Sequence, residues 1–196
     1  MIPRRLHLIW IGEPIPARIA ENVDAWRALL PSTWSVRVWG NEAFDAFGSD
    51  PWLPIMHRDS ACDLAMIANR LRFLVLERCG GFYVDIDARP LRSLEPLRID
   101  APCAIAGLHE RNCRRDRVCD PSSVAAVAHL QAFAVLLHEW FPAQPRWPRA
   151  GPMGEFLRVS TPGLVVWPWQ YFCGHRLEPG AFALHWPNRL HSWKNA

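Results

Sequence analysis

The pattern of apolar and polar positions opens with a short apolar run, Leu6 to Ile11, broken only by His7 and followed by Gly-Glu-Pro-Ile-Pro at 12–16. That predicts a buried strand and the loop leaving it. Ile19, Val23, Trp26 and Leu30 then recur at helical spacing, so Ala17 to Leu30 is predicted as a helix, ended by Pro31-Ser32. From Trp34 to Trp39 the pattern alternates, Trp and Val against Ser and Arg, which predicts a second strand terminated by Gly40-Asn41. Strand, helix, strand is how nucleotide-binding α/β folds begin. Asn41 to Pro54 is predicted as a helix and then a loop, with Asp50-Pro51 as a turn. Asp59 to Cys79 is predicted as one long helix, capped by Asp59 or Ser60. At Gly80-Gly81 the period changes abruptly to the apolar strand Phe82 to Ile86. Further on, Cys103 to Gly107 is predicted as a strand. Pro121 to Trp140 is predicted as a helix with Asp120 as N-cap, its core face made by Val124, Val127, Leu130, Ala134 and Leu137.

Two carboxylates, Asp85 and Asp87, flank Ile86 at the end of that third strand. Period two would put both on one side of the backbone, at the end of a strand where open α/β sheets bind ligands. Paired hard oxygen donors suit Mg²⁺ or Mn²⁺, which bridge protein carboxylate to substrate phosphate. The plain alternative is an acidic strand end facing solvent.

Composition adjusts this picture in a few places. A chain of 196 residues with 50% hydrophobic and 21% charged positions is most simply one domain, 1–196. Eleven tryptophans exceed the usual share, and indoles stack on nucleobases and on the apolar faces of sugars as well as packing cores. A net charge of +3 does not demand a nucleic acid partner and is compatible with an anionic donor. Six cysteines show no pairing pattern, and no secretory signal or membrane-length apolar run is present, so the expectation is a soluble protein with reduced thiols in a bacterial or virus-infected cytoplasm. Arg111, Arg114, Arg115 and Arg117 fall within seven residues. They can grip phosphates, including those of a DNA acceptor, or pair with Glu110, Asp116 and Asp120 in a solvated loop. His109, Cys113 and Cys119 lack a fourth ligand and a zinc-site spacing.

Three blocks in the same order carry a resemblance. They are Ile2-Pro3-Arg4-Arg5-Leu6-His7-Leu8-Ile9-Trp10-Ile11-Gly12, then Arg72-x3-Leu76-x3-Gly80-Gly81-x-Tyr83-x-Asp85-x-Asp87, and a tail with His185-Trp186 and Ser192-Trp193. Together they resemble the DxD glycosyltransferases that include yeast-type initiating α-mannosyltransferases (glycosyltransferase family 32) and the catalytic domains of clostridial glucosylating toxins. Arg149-Ala150-Gly151-Pro152 is similar to that family's turn before a short helix, and Val165 to Phe172 to its later strand and turn. The resemblance implies a GT-A-type α/β fold, with a central mostly parallel sheet flanked by helices. It also implies metal-dependent transfer of a hexose, with retention, from a UDP- or GDP-sugar to an acceptor hydroxyl on a glycan, a lipid-linked sugar or another molecule. By the same resemblance Trp10 stacks on the base and Arg72 serves the diphosphate or donor sugar. Tyr83 lies beside the nucleotide, Asp85 contacts ribose and sugar hydroxyls, and Asp87 coordinates Mn²⁺ or Mg²⁺. Ser192 and Trp193 close over the donor, with His185 or His191 as a further metal ligand. Where the family has Ser-Asp, this chain has Ala68-Asn69, so Asn69 meets the sugar without a charge. That departure keeps a second reading alive, a nucleotide-sugar or carbohydrate-binding module without turnover.

Overall fold

The structure is a computed structural model, and it describes residues 1–107, 119–172 and 179–184. In chain order the elements are β1 (Arg5–Ile9), α1 (Ala17–Leu29), β2 (Ser35–Trp39), α2 (Ala43–Ala46), α3 (Leu53–Arg58), α4 (Leu64–Cys79), β3 (Gly81–Val84), β4 (Arg89–Pro90), β5 (Cys103–Gly107), β6 (Cys119–Ala126), α5 (Gln131–Val135), α6 (Ala150–Ser160), β7 (Val165–Trp167) and β8 (Ala183–Leu184). Six strands form one sheet in the order β2-β1-β3-β6-β5-β7, while β4 and β8 form a separate two-stranded ribbon. β1 runs parallel to β2 and β3, and β5 parallel to β7; β6 is antiparallel to both its neighbours.

Alternation along the central strands sorts the core into two layers. Leu6, Leu8, Phe82 and Val84 pack with Ile19, Val23 and Trp26 of α1. Ile9, Tyr83, Ile105 and Val124 face the other way and pack with Leu71, Phe73, Leu74 and Val75 of α4 and Phe133 of α5. The sheet is therefore covered on both faces, which is what a nearly continuous apolar run in the central strands requires.

Two predicted elements need correction. The long helix starts at Leu64, not Asp59, because Asp63 is the residue whose carboxylate accepts the Met66 N–H at 2.8 Å. Asp59 instead ends α3 and takes the Ala61 N–H at 2.8 Å and the Trp147 indole N–H at 2.6 Å. The segment 41–54 is a short helix, α2, and then a loop, as predicted, and Asp50 in that loop accepts the N–H groups of Trp52 and Leu53 at the start of α3. The second correction is the larger. Residues 119–126 are a strand in the middle of the sheet, and α5 begins only at Gln131, continuing as a π-helical turn over Leu136–Trp140. Ser122 and Ser123 are weak formers of either element and Ala125 and Ala126 favour a helix, and pairing with β3 on one side and β5 on the other overrides that preference.

Glu95 ties the first strand's entry to the loop after β4. It accepts from Arg4 at 2.7 Å, from the Trp34 indole at 2.6 Å and from Arg98 at 3.1 Å. Arg4's hydrogen bond, and then Trp34's, hold the Glu95 carboxyl down at about 2. A depressed carboxyl stabilises the fold above its ordinary pKa and loses that contribution as pH falls toward the folded value. Glu95→Gln should therefore be less stable than the parent at about pH 5, with the gap closing by about pH 2.5. Urea titrations at the two pH values measure this; a gap that does not change with pH would show that ionisation of Glu95 is irrelevant.

Candidate active site

Leaving β1, the chain crosses through α1 to β2 on one side, and β3 later pairs on the other side of β1. Such a reversal opens a crevice at the C-terminal ends of the two strands. Trp10 follows β1 there, and Asp85 follows β3.

The Gly80-Gly81 pair lets the long helix turn directly into β3. Both have positive φ, +59° and +103°, and a Cβ on Gly81 would lie 2.6 Å from the Arg5 carbonyl oxygen. The freed Gly80 carbonyl accepts from His7 Nε2 at 2.9 Å, while His7 Nδ1 accepts the Trp39 indole N–H at 3.2 Å. Burial is the main reason the His7 imidazole is pushed down to about 4, so it is neutral and structural.

Asp85 is fixed from three directions. Its N–H donates to the Ser122 carbonyl at 2.8 Å. Its Oδ1 accepts from the Tyr83 hydroxyl at 2.7 Å and faces Arg72 Nη2 at 3.1 Å. Arg72 comes from α4, lies 4.4 Å over the Tyr83 ring, and donates through Nη1 to the Pro121 carbonyl. Burial pushes the Tyr83 hydroxyl well above its usual range, so it serves as a neutral donor. Arg72 of α4 thus pairs with Asp85, the acid just past the end of β3. The two carbonyls involved come from an irregularity in β6: between Ile105↔Val124 and Ala106↔Asp120 the register skips, leaving Pro121 to Ser123 bulged next to the site.

Asp87 does not follow by period two. The strand stops at Val84, and the Ala88 N–H closes a turn onto the Asp85 carbonyl at 2.9 Å. Asp87 instead lines an open depression of about 470 Å³ with Arg18, Ile19, Asn22 and Arg89, on the α1 side. Asn22 supports the turn by donating to the Ile86 carbonyl at 3.5 Å. Asn69 is buried one helical turn before Arg72.

Trp10 is half-buried, with its N–H on the Trp39 carbonyl at 2.9 Å and its indole Nε1 on the Glu13 carbonyl at 2.6 Å. Sequence reasoning missed Asn41 beside it. The Asn41 side chain accepts the Gly12 N–H at 2.8 Å and donates to the Gly12 carbonyl at 3.1 Å. The signal available in the sequence was only an Asn just past a strand end.

His185, His191, Ser192 and Trp193 lie outside the described residues, as do His109, Arg111, Cys113, Arg114, Arg115 and Arg117. The described chain reaches the site again at β8, where Leu184 pairs with Arg89, two positions from Asp87. Among the described residues no three His, Cys, Asp or Glu side chains gather as a metal cage, and no helix is long and apolar enough to cross a membrane.

Known proteins give this geometry a context. Residues 16–104 match the family described as "Glycosyltransferase sugar-binding region containing DXD motif". Over 101 residues the chain is 28% identical to inositol phosphoceramide mannosyltransferase 1 of Schizosaccharomyces pombe, an alignment covering 49% of this chain and 31% of that protein. The chain therefore spans about a third of that relative. Among solved structures, the PaToxG glycosyltransferase superposes with a TM-score of 0.62 at 15% identity, covering 83% of this chain and 71% of that one. The galactosyltransferase LgtC, solved with donor and acceptor sugar analogues, superposes with a TM-score of 0.54 at 9% identity, covering 96% and 89%. The likeness to these structures is one of fold. Neither the matched family nor these relatives point to a DNA acceptor.

Proposed function

We propose that this chain, whose residues 16–104 are a DXD-containing glycosyltransferase sugar-binding region on a GT-A fold, transfers a hexose from a UDP- or GDP-sugar to an acceptor hydroxyl. The observation that carries the reading is Asp85, held by Arg72, Tyr83 and the β6 carbonyls at the crevice between β1 and β3. A carboxylate clamped in one rotamer by a buried guanidinium is preorganised to accept sugar or ribose hydroxyls.

In this reading Trp10 stacks on the nucleobase and Asn69 meets a sugar hydroxyl. Arg72 keeps Asp85 in place and sets a positive charge where the departing diphosphate becomes more negative. Tyr83 remains protonated and fixes Asp85 from the opposite side. Asp87 and Asp85 suit a divalent cation of the Mn²⁺ or Mg²⁺ kind, which needs only one or two protein carboxylates when substrate phosphates complete its shell. Such a cation supplies charge neutralisation on the leaving group. By the sequence resemblance, Ser192 and Trp193 contact the donor and either His185 or His191 adds a metal ligand. Retention of configuration is supported by the sequence resemblance to retaining enzymes. The relative named for mannosyl transfer to a sphingolipid makes a glycolipid or glycan hydroxyl the acceptor class to try first.

The test is a panel of UDP- and GDP-sugars, scored for binding and for slow hydrolysis with Mn²⁺ and with EDTA. Cleavage of one donor in Mn²⁺ and its loss in EDTA are expected. Tight binding without cleavage or transfer across acceptors would support the non-catalytic module instead, and no binding of any donor would sink both.

A further inference from the structure

We infer that Asn41 is a positioning residue for Trp10, setting the donor affinity of the site without touching the reacting atoms. The inference rests on the base-stacking reading of Trp10. Its basis is the way the loop after β1 is closed. Trp10 carries on the β1–β2 ladder by one further bond, its N–H to the Trp39 carbonyl at 2.9 Å, and then the two chains part. Beyond that point Asn41 takes over. Its amide bonds both the N–H and the C=O of Gly12, at 2.8 and 3.1 Å, supplying from one side chain the acceptor and the donor that two different residues of a continued parallel strand would have offered.

The consequence for Trp10 is geometric. Its indole N–H is bonded to the Glu13 carbonyl at 2.6 Å, so the plane of the ring follows the path of residues 12 and 13. Among the described residues, Gly12 and Glu13 make no hydrogen bonds besides these. Gly12 sits at φ +98°, where a side chain would be strained, and a Cβ there would come within 2.8 Å of Leu64 Cδ1 at the start of α4. Gly40, next to Asn41, is held by the Glu42 carboxylate at 2.9 Å, which fixes the stem from which Asn41 reaches. Residues 12 and 13 are themselves exposed, so no buried apolar contact of their own holds the loop. A flat platform is useful to a stacking ligand only if its plane is set before the ligand arrives, since a loop ordered on binding lowers affinity.

The experiment is a double-mutant cycle on the full chain, with UDP and GDP as probes in the presence of Mn²⁺, read by calorimetry, and with donor hydrolysis giving KM and kcat separately. Asn41→Ala should weaken nucleotide binding and raise KM by about tenfold, the loss of two modest hydrogen bonds, with kcat within about twofold. Asn41→Asp keeps the acceptor for the Gly12 N–H and should recover part of that loss. In a Trp10→Leu background, Asn41→Ala should add less than about twofold. Full additivity in the double variant, or a lowered melting temperature with unchanged nucleotide affinity, would overturn the inference. If Trp10→Leu alone leaves nucleotide binding untouched, the stacking role of Trp10 fails first, and the inference falls with it for that separate reason.

Discussion

Asp87→Ala is expected to lower Mn²⁺-dependent donor cleavage by about 10²–10³-fold, the usual scale for removing one preorganised electrostatic element from an active site. Asp87 is the better test of the two carboxylates for a structural reason. It is half-buried on a turn and faces an open depression, so truncation leaves no core void, and the melting temperature should shift by no more than about 2 °C. Asp85 is different, because its removal strands the buried Arg72 guanidinium and mixes a catalytic loss with a folding one. Asp87→Glu keeps the carboxylate on a longer arm and should retain part of the activity while raising the Mn²⁺ concentration needed for half-maximal rate. Both variants are to be measured over a Mn²⁺ titration. Parent-like turnover of Asp87→Ala at all metal concentrations would remove Asp87 from the site.

The parts of this site that could be read from the sequence are those set by local rules. The helix ending at Gly80-Gly81 and the start of the apolar strand after it depend on neighbours within a few residues, and they are found where the pattern puts them, whereas the turn after Val84 takes Asp87 off the side that period two gave it. Period-two alternation also accounts for Tyr83 reaching Asp85 and for His7 being buried and hydrogen-bonded. The strand Cys103–Gly107 matches its prediction at both ends. Local rules failed where a distant partner decides. Residues 119–126 look helical because small residues and a leading proline are compatible with a helix start, yet two flanking strands claim them. Arg72 has plausible ion-pair partners nearby in sequence. Its actual partner is thirteen residues on, past a reversal of chain direction. Asp59 and Ser60, the caps the pattern offers, both precede the helix because Asp59 closes α3, and Asp63 takes the capping role.

The same limit hides the molecule's most sensitive structural contact. Arg70 sits two residues from Arg72, about 200° around α4, so the two guanidinium groups leave the helix on opposite sides. Arg70 is fully buried and meets Asp50 through Nε to Oδ1 at 2.9 Å and Nη2 to Oδ2 at 2.5 Å. Its remaining donors reach the Leu137 carbonyl at 3.2 and 3.3 Å, and its guanidinium lies 4.4 Å over the Phe141 ring. One side chain thus joins the α2–α3 loop, α4 and the π-helical turn after α5. Asp50→Ala would leave that charge buried without its counter-ion and strip the Trp52 and Leu53 N–H groups of their acceptor. The expected loss is about 3–5 kcal/mol, a large part of the stability of a domain this size. Replacing both partners by apolar residues of similar volume, Asp50→Leu with Arg70→Met, should recover most of it, less about 1 kcal/mol for the lost bonds at the start of α3. Urea unfolding of the two single variants and the double variant measures this. If Asp50→Ala costs no more than an exposed ion pair, below about 1 kcal/mol, then the pair is wet in solution and α4 is anchored by its apolar face alone. In that case Arg72, and the clamp on Asp85 that depends on it, would need another explanation for being held still.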